Sequence, residues 1–112
     1  MATVALPEVD VEDRTLRRLE SLYHVILLDD DDHTYDYVVE MLVKIFGFTE
    51  TRAFRHAVEV DTESRTTLLT CGLEEAQRKR DQIHAYGPDW RLPRSKGSMS
   101  AVIEPAGPSS ND

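Results

Sequence analysis

Residues 23–38 read YHVILLDDDDHTYDYV, and this stretch decides the fold. It opens as an apolar run, Val25 to Leu28, with the β-branched and aromatic content of a buried strand. It then passes directly into four aspartates, Asp29 to Asp32, followed by His33 and Thr34. From Tyr35 the apolar positions recur at helical spacing. Four carboxylates therefore occupy a turn between the end of a strand and the start of a helix, where chains often keep chemistry. Three uses are open for them. One is a solvated turn that caps the helix, the second a divalent-cation site built of hard oxygens, and the third recognition of an organic cation such as an amine. The spacing lacks the D-x-[DN]-x-[DN]-G pattern of a calcium loop.

Outward from this stretch the elements follow in order. Strand one covers about Tyr23 to Leu28. Thr34 is the expected N-cap of helix one, with Asp36 in the first turn facing the positive helix end. The helix carries a stripe of Tyr35, Val38, Val39, Leu42, Ile45 and Phe46, and Gly47 supplies a left-handed stop. Thr49 caps helix two, on which Phe54, Ala57 and Asp61 fall on one line. Residues 61–65 read as a polar turn and Thr66 to Cys71 as a second strand. Gly72 opens helix three, about Leu73 to Tyr86, which Gly87 and Pro88 end. A long loop, GPDWRLPRSKGS, is stiffened by Pro88 and Pro93, with Trp90 expected as a lid on the core. Met99 to Glu104 is the last strand, with Met99, Ala101 and Ile103 on one face.

This β-α-α-β-α-β order predicts an α+β two-layer domain, a three-stranded antiparallel sheet with three helices on one face. Residues 1–21 read as a mobile N-terminal extension, 22–106 as the domain and 107–112 as a disordered tail rich in Pro, Gly and Ser.

Composition excludes several classes. The 112 residues suffice for one domain, and a net charge of −8 makes nucleic acid a poor partner. Basic protein surfaces and cationic ligands suit that charge better. A lone Cys71 forms no internal disulfide and no zinc site, which fits a reducing cytoplasm. No signal peptide opens the chain and no apolar run approaches a membrane span.

Two functional classes fit a strand that ends in acids. A phospho-acceptor receiver domain begins this way and holds magnesium with an acidic pair. It also needs a phosphate-accepting Asp on a middle strand and a Lys on a later one. Here the candidates are Asp61, at a helix end, and Lys96, in the Pro-bounded loop, and five alternating strand-helix units are absent. That reading, or a simple divalent-metal pocket, stands as the alternative.

The other class is a binding module. The string Y-x-V-I-L-x-[ND]-D-D, here Tyr23 to Asp31, resembles the ClpS family of adaptors for the Clp AAA+ protease. The likeness runs on to Val38, through helix two into helix three, and resumes at MSAVIEPA, Met99 to Ala106, after a longer loop than the family usually carries. Such adaptors are not enzymes. They bind the free α-amino group and bulky first side chain of an N-degron substrate and hand it to the unfoldase.

The resemblance implies that the amine meets Asp29, where the family has Asn, together with Asp30, Asp31 and Asp61, the last replacing a His. It implies a side-chain pocket and rim at His33, Thr34, Tyr35, Val38, Ala57, Val60 and Met99, with Tyr35 and Ala57 replacing two pocket methionines. His33 and Thr34 stand where Thr-Pro is usual, and His33 alone reads as a polar turn residue. Glu74 and Lys79 match positions turned toward the N-terminal domain of the partner ATPase. A monomer with no cofactor and no metal is expected. Asp29 and Asp61 together would give the amine two anionic partners, and charge-assisted bonds are the stronger kind.

Overall fold

The apolar run forms the middle of a three-stranded antiparallel sheet. The structure, a computed structural model, describes residues 21–106. Strand β1 (Leu22–Leu28) is flanked by β2 (Arg65–Gly72) and β3 (Ser100–Pro105), in the order β2-β1-β3. Helices α1 (Tyr35–Phe46), α2 (Glu50–Glu63) and α3 (Leu73–His84) complete the expected β-α-α-β-α-β order. Alternation along β1 sends Val25 and Leu27 into the core beneath the helices. Ile26 points to the other face, yet is only 2% exposed. On that face an Arg65–Glu104 ion pair, 2.8 Å, joins the two outer strands. Between two half-exposed side chains such a pair adds little stability. Between Val25 and Ile26 the β2 register slips by one residue. Leu68 is left without a partner there, buried in the core, the signature of a β-bulge.

The helix ends obey local chemistry. Thr34 has an extended backbone and its hydroxyl accepts from the Tyr37 N–H at 3.1 Å. Thr49 does the same for Arg52. Gly47 ends α1 at φ +72°, and a Cβ there would meet nothing, so only the left-handed backbone calls for glycine. Helix α2 runs two residues past Asp61 to Glu63, through most of the expected polar turn. It stops at Ser64, left-handed at φ +76°, the one non-glycine residue with positive φ among those described. A strained backbone of this kind costs on the order of 1 kcal/mol and is usually held by its surroundings. Here the Ser64 carbonyl accepts the Asp29 N–H at 3.0 Å, which pins the start of the acidic turn to the end of α2.

The buried stripe of α1 is Tyr37, Val38, Met41 and Leu42, offset from the expected one. Tyr35, at the first helical position, is 37% exposed. Helix α3 ends at His84, two residues early, and buries Ala76 and Ile83. Strand β3 begins one residue late, although Met99 is buried beside Ala101 as anticipated. Trp90 is 80% exposed and is no lid; the Arg91 guanidinium lies over its ring, 4.6 Å from the centroid. Burying a Leu or Met fully, as at Leu27, Met41 and Leu42, is worth roughly 1.5–3 kcal/mol each. All but residue 21 of the expected extension (1–21), and the tail (107–112), lie outside the described residues.

Candidate functional site

Two of the four carboxylates of the acidic turn, those of Asp30 and Asp32, are engaged by neighbouring groups. Asp30 Oδ1 accepts from the Asp32 N–H at 2.9 Å and meets His33 Nδ1 at 2.7 Å. His33 Nε2 lies 2.7 Å from the Gly97 carbonyl. Both partner atoms are acceptors, so the ring serves both at once when both nitrogens carry protons. The His33 side chain is 3% exposed and packs on Tyr37, with centroids 4.5 Å apart. The expected polar turn residue is thus a buried strut. Asp32 and the Asp31 carbonyl are both met by Arg94, Asp32 at 3.1 Å. Among the described residues no group of three or more His, Cys, Asp or Glu converges as a metal would require.

Thr34 is bonded to the loop that follows α3. Its N–H and hydroxyl both donate to Asp89 Oδ2, at 2.7 and 2.8 Å. Asp89 is 1% exposed and its other oxygen accepts from the Arg91 N–H and guanidinium, at 3.0 and 3.1 Å. Burial pushes this carboxyl up, but the Thr34 and Arg91 donors outweigh it and hold it down at about 2. Arg91 also reaches Glu40 on α1 at 3.1 Å. Loop 85–99 is therefore strapped to the acidic turn and α1 by Asp89, Arg91, Arg94 and Gly97. None of these was a candidate. The available signal was a cation-rich loop, Arg91, Arg94 and Lys96, in a chain with four consecutive aspartates.

Asp29 and Asp61 are brought together, both at the surface. Burial, then the charge of Asp61, raise the Asp29 carboxyl; the Asp30 N–H works against them, and the charges of Asp30 and Asp31 add to the rise. Asp61 lies in the last turn of α2, which holds no basic residue, so its charge opposes the negative helix end. It is met by Tyr35, whose hydroxyl donates to Asp61 Oδ2 at 2.6 Å. That bond, then burial and the charges of Asp61 and Asp29, raise the phenol above its ordinary value. The result is an anionic pair, without a cationic partner among the described residues, at the junction of α1, α2 and the turn. Beneath it Val38, Ala57, Val60 and Met99 are all buried in one continuous core cluster. They form an apolar floor. Two surface grooves, one against His56, Glu59 and Thr66 and the other against Val39, Val43 and Phe54, are lined by neither the acidic pair nor this floor.

Glu74 and Lys79 lie on α3, on a separate surface. Glu74 is exposed in the first turn. Lys79 is half-buried: its Nζ donates to the Ile45 carbonyl at 2.7 Å and lies 5.2 Å from the Phe46 ring. It closes the C-terminal turn of α1, a structural role the sequence did not suggest.

The family model for the ATP-dependent Clp protease adaptor protein ClpS matches residues 18–90. The chain belongs to the ClpS family. It is 34% identical to the adapter protein ClpS of Nautilia profundicola over 104 residues, 93% of this chain and 98% of that one. It is 30% identical to the ClpS of Vibrio cholerae over 82 residues, 71% of this chain and 77% of that one. Its fold matches that of Agrobacterium tumefaciens ClpS2 bound to L-phenylalaninamide, with a TM-score of 0.66 at 22% identity, over 77% of this chain and 98% of that one. This ClpS-family chain is thus an adaptor of an ATP-dependent Clp protease, and an adaptor presents substrates to catalytic machinery held elsewhere. The receiver-like alternative falls with the fold, since three antiparallel strands do not build a parallel receiver sheet. No helix among the described residues is long and apolar enough to cross a membrane.

Proposed function

We propose that this ClpS-family adaptor captures proteins by a free α-amino group held between Asp29 and Asp61, with the first side chain lodged against Val38, Ala57, Val60 and Met99. The observation that carries the reading is that Asp29 and Asp61 stand together above an apolar floor with no cationic partner among the described residues; burial, then the charge of Asp61, raise the Asp29 carboxyl. An incoming ammonium relieves the repulsion between the two carboxylates and makes charge-assisted bonds. Asp30 and Asp31 add negative potential, and Asp30 does so while anchored by His33. His33 and Thr34 act through the loop they tie down. Tyr35 is the wall facing solvent.

Residues 22–106 are the unit that acts, as a monomer in the cytoplasm. The exposed Glu74 surface of α3 meets the N-terminal domain of the Clp ATPase, with Lys79 beside it. The test is calorimetric titration with peptides that differ only in their first residue, each free and N-acetylated. Peptides beginning with a bulky apolar residue and a free amine are expected to bind, and their acetylated forms not at all. Equal binding by both forms would end the proposal.

A further inference from the structure

Tyr35 is a large aromatic residue left partly exposed at the first position of α1, and two anchors hold it there. Its hydroxyl donates to Asp61 Oδ2 at 2.6 Å, and its ring meets Phe54 edge-on, centroids 5.7 Å apart. Both anchors are on α2, seven residues and so about 10 Å apart along the axis. Ala57 lies on the same line between them. The neighbours Phe54 and Asp61 are exposed, yet the single methyl of Ala57 is 1% exposed. The Tyr35 ring thus reaches residues on both sides of Ala57 along α2.

We propose that the Tyr35–Asp61 hydrogen bond is a latch, and that the substrate ammonium opens the side-chain slot above Ala57 by displacing the phenol from Asp61. This rests on the amine-binding reading given above. The phenol occupies Asp61 Oδ2 in the free protein, on the side that faces Tyr35. An ammonium of three N–H groups and full charge competes for that oxygen better than a neutral phenol does. Once released, the ring keeps its edge contact with Phe54 and can swing outward. Amine recognition and pocket opening then become one event. A first side chain without its ammonium meets a closed slot, which sharpens discrimination against blocked N-termini beyond what two carboxylates supply alone.

The test uses Tyr35→Phe, which keeps the ring and removes the donor, in the full chain. Without the latch, free-amine peptides beginning with Leu are expected to bind roughly two- to fivefold tighter, chiefly through faster association. A second measurement needs no peptide. With 13Cζ-tyrosine labelling, the Tyr35 phenol is expected to titrate at lower pH in Asp61→Asn than in the parent. An Asp61→Asn variant with an unmoved Tyr35 titration would show that the latch does not form and overturn the proposal. Tyr35→Phe binding equal to or weaker than the parent would make the hydroxyl a fixed part of the site and overturn it as well. If neither protein bound any free-amine peptide, the amine-binding reading would fall and the gate with it, an outcome distinct from the other two.

Discussion

Asp89 offers the sharpest test of how the site is held. Its carboxylate accepts four hydrogen bonds, two from Thr34 and two from Arg91, while 1% exposed. Folding lowers its pKa from 3.8 to about 2, burial being outweighed by those donors. At roughly 1.4 kcal/mol per pH unit this amounts to about 2 kcal/mol of stability. Because the folded value is the depressed one, that stability is fully present above about pH 4 and is lost as pH falls toward 2. Asp89→Asn keeps the shape but not the charge, and turns an amide donor toward groups that are themselves donors. We expect it to lower unfolding free energy at pH 7 by about 2 kcal/mol. Denaturant melts followed by circular dichroism at steps from pH 7 to pH 2.5 measure this. The gap between parent and variant should close over pH 4 to 2. Hydrogen exchange should also quicken at Thr34 and in loop 85–99, the two segments Asp89 ties together. A variant within 0.5 kcal/mol of the parent at pH 7, or one losing stability in parallel with it through acid, would refute the reasoning.

Other predictions concern the site and the partner surface. Asp29→Asn removes the ionised carboxyl that burial, and then the charge of Asp61, disfavour, so thermal stability at neutral pH should rise slightly, with the gain vanishing as pH falls through the carboxylate range. Ala57→Met places a long side chain on the buried face of α2 between Phe54 and Asp61, and fluorescence titration should show Ile and Val first residues losing more affinity than Leu. Equal loss for all three would make Ala57 a packing residue only. Lys79→Glu removes the donor to the Ile45 carbonyl and should cost about 1 kcal/mol of stability in a urea melt. Glu74→Lys, exposed, should leave folding and peptide binding intact and weaken delivery in a reconstituted Clp degradation assay.

Most of the fold was legible because it rests on local chemistry. Thr34, Thr49 and Gly47 mark helix ends by hydrogen bonding and backbone sterics, and Val25 to Leu28 reads as a strand from composition alone. The errors arose where tertiary contacts overrule the local signal. Tyr35 fits the helical period but precedes the first covered turn, so Tyr37 and Met41 take the core positions instead. The α2 end was read short because neither Gly nor Pro stops it, and a serine adopts the left-handed cap. Asp29 and Asp61 were paired through the family resemblance; spacing gave only Asp61 beside Ala57. The strap across the acidic turn was not legible, since Thr34 meets Asp89 and His33 meets Gly97 across more than fifty residues. Trp90 invites burial by its type, but its loop is fastened by charged side chains and leaves the indole outside.

The central claim, that a free α-amine is held between Asp29 and Asp61, is tested most directly by a pair of small ligands. The 15N-labelled protein is titrated with leucinamide and, separately, with N-acetyl-leucinamide, and amide shifts are followed along the chain. Leucinamide should move residues 29–31, Tyr35, Ala57 and Asp61 in a saturable manner, and the acetylated compound should move none of them. Matching shifts from both compounds, or saturable shifts confined to other surfaces, would contradict the account.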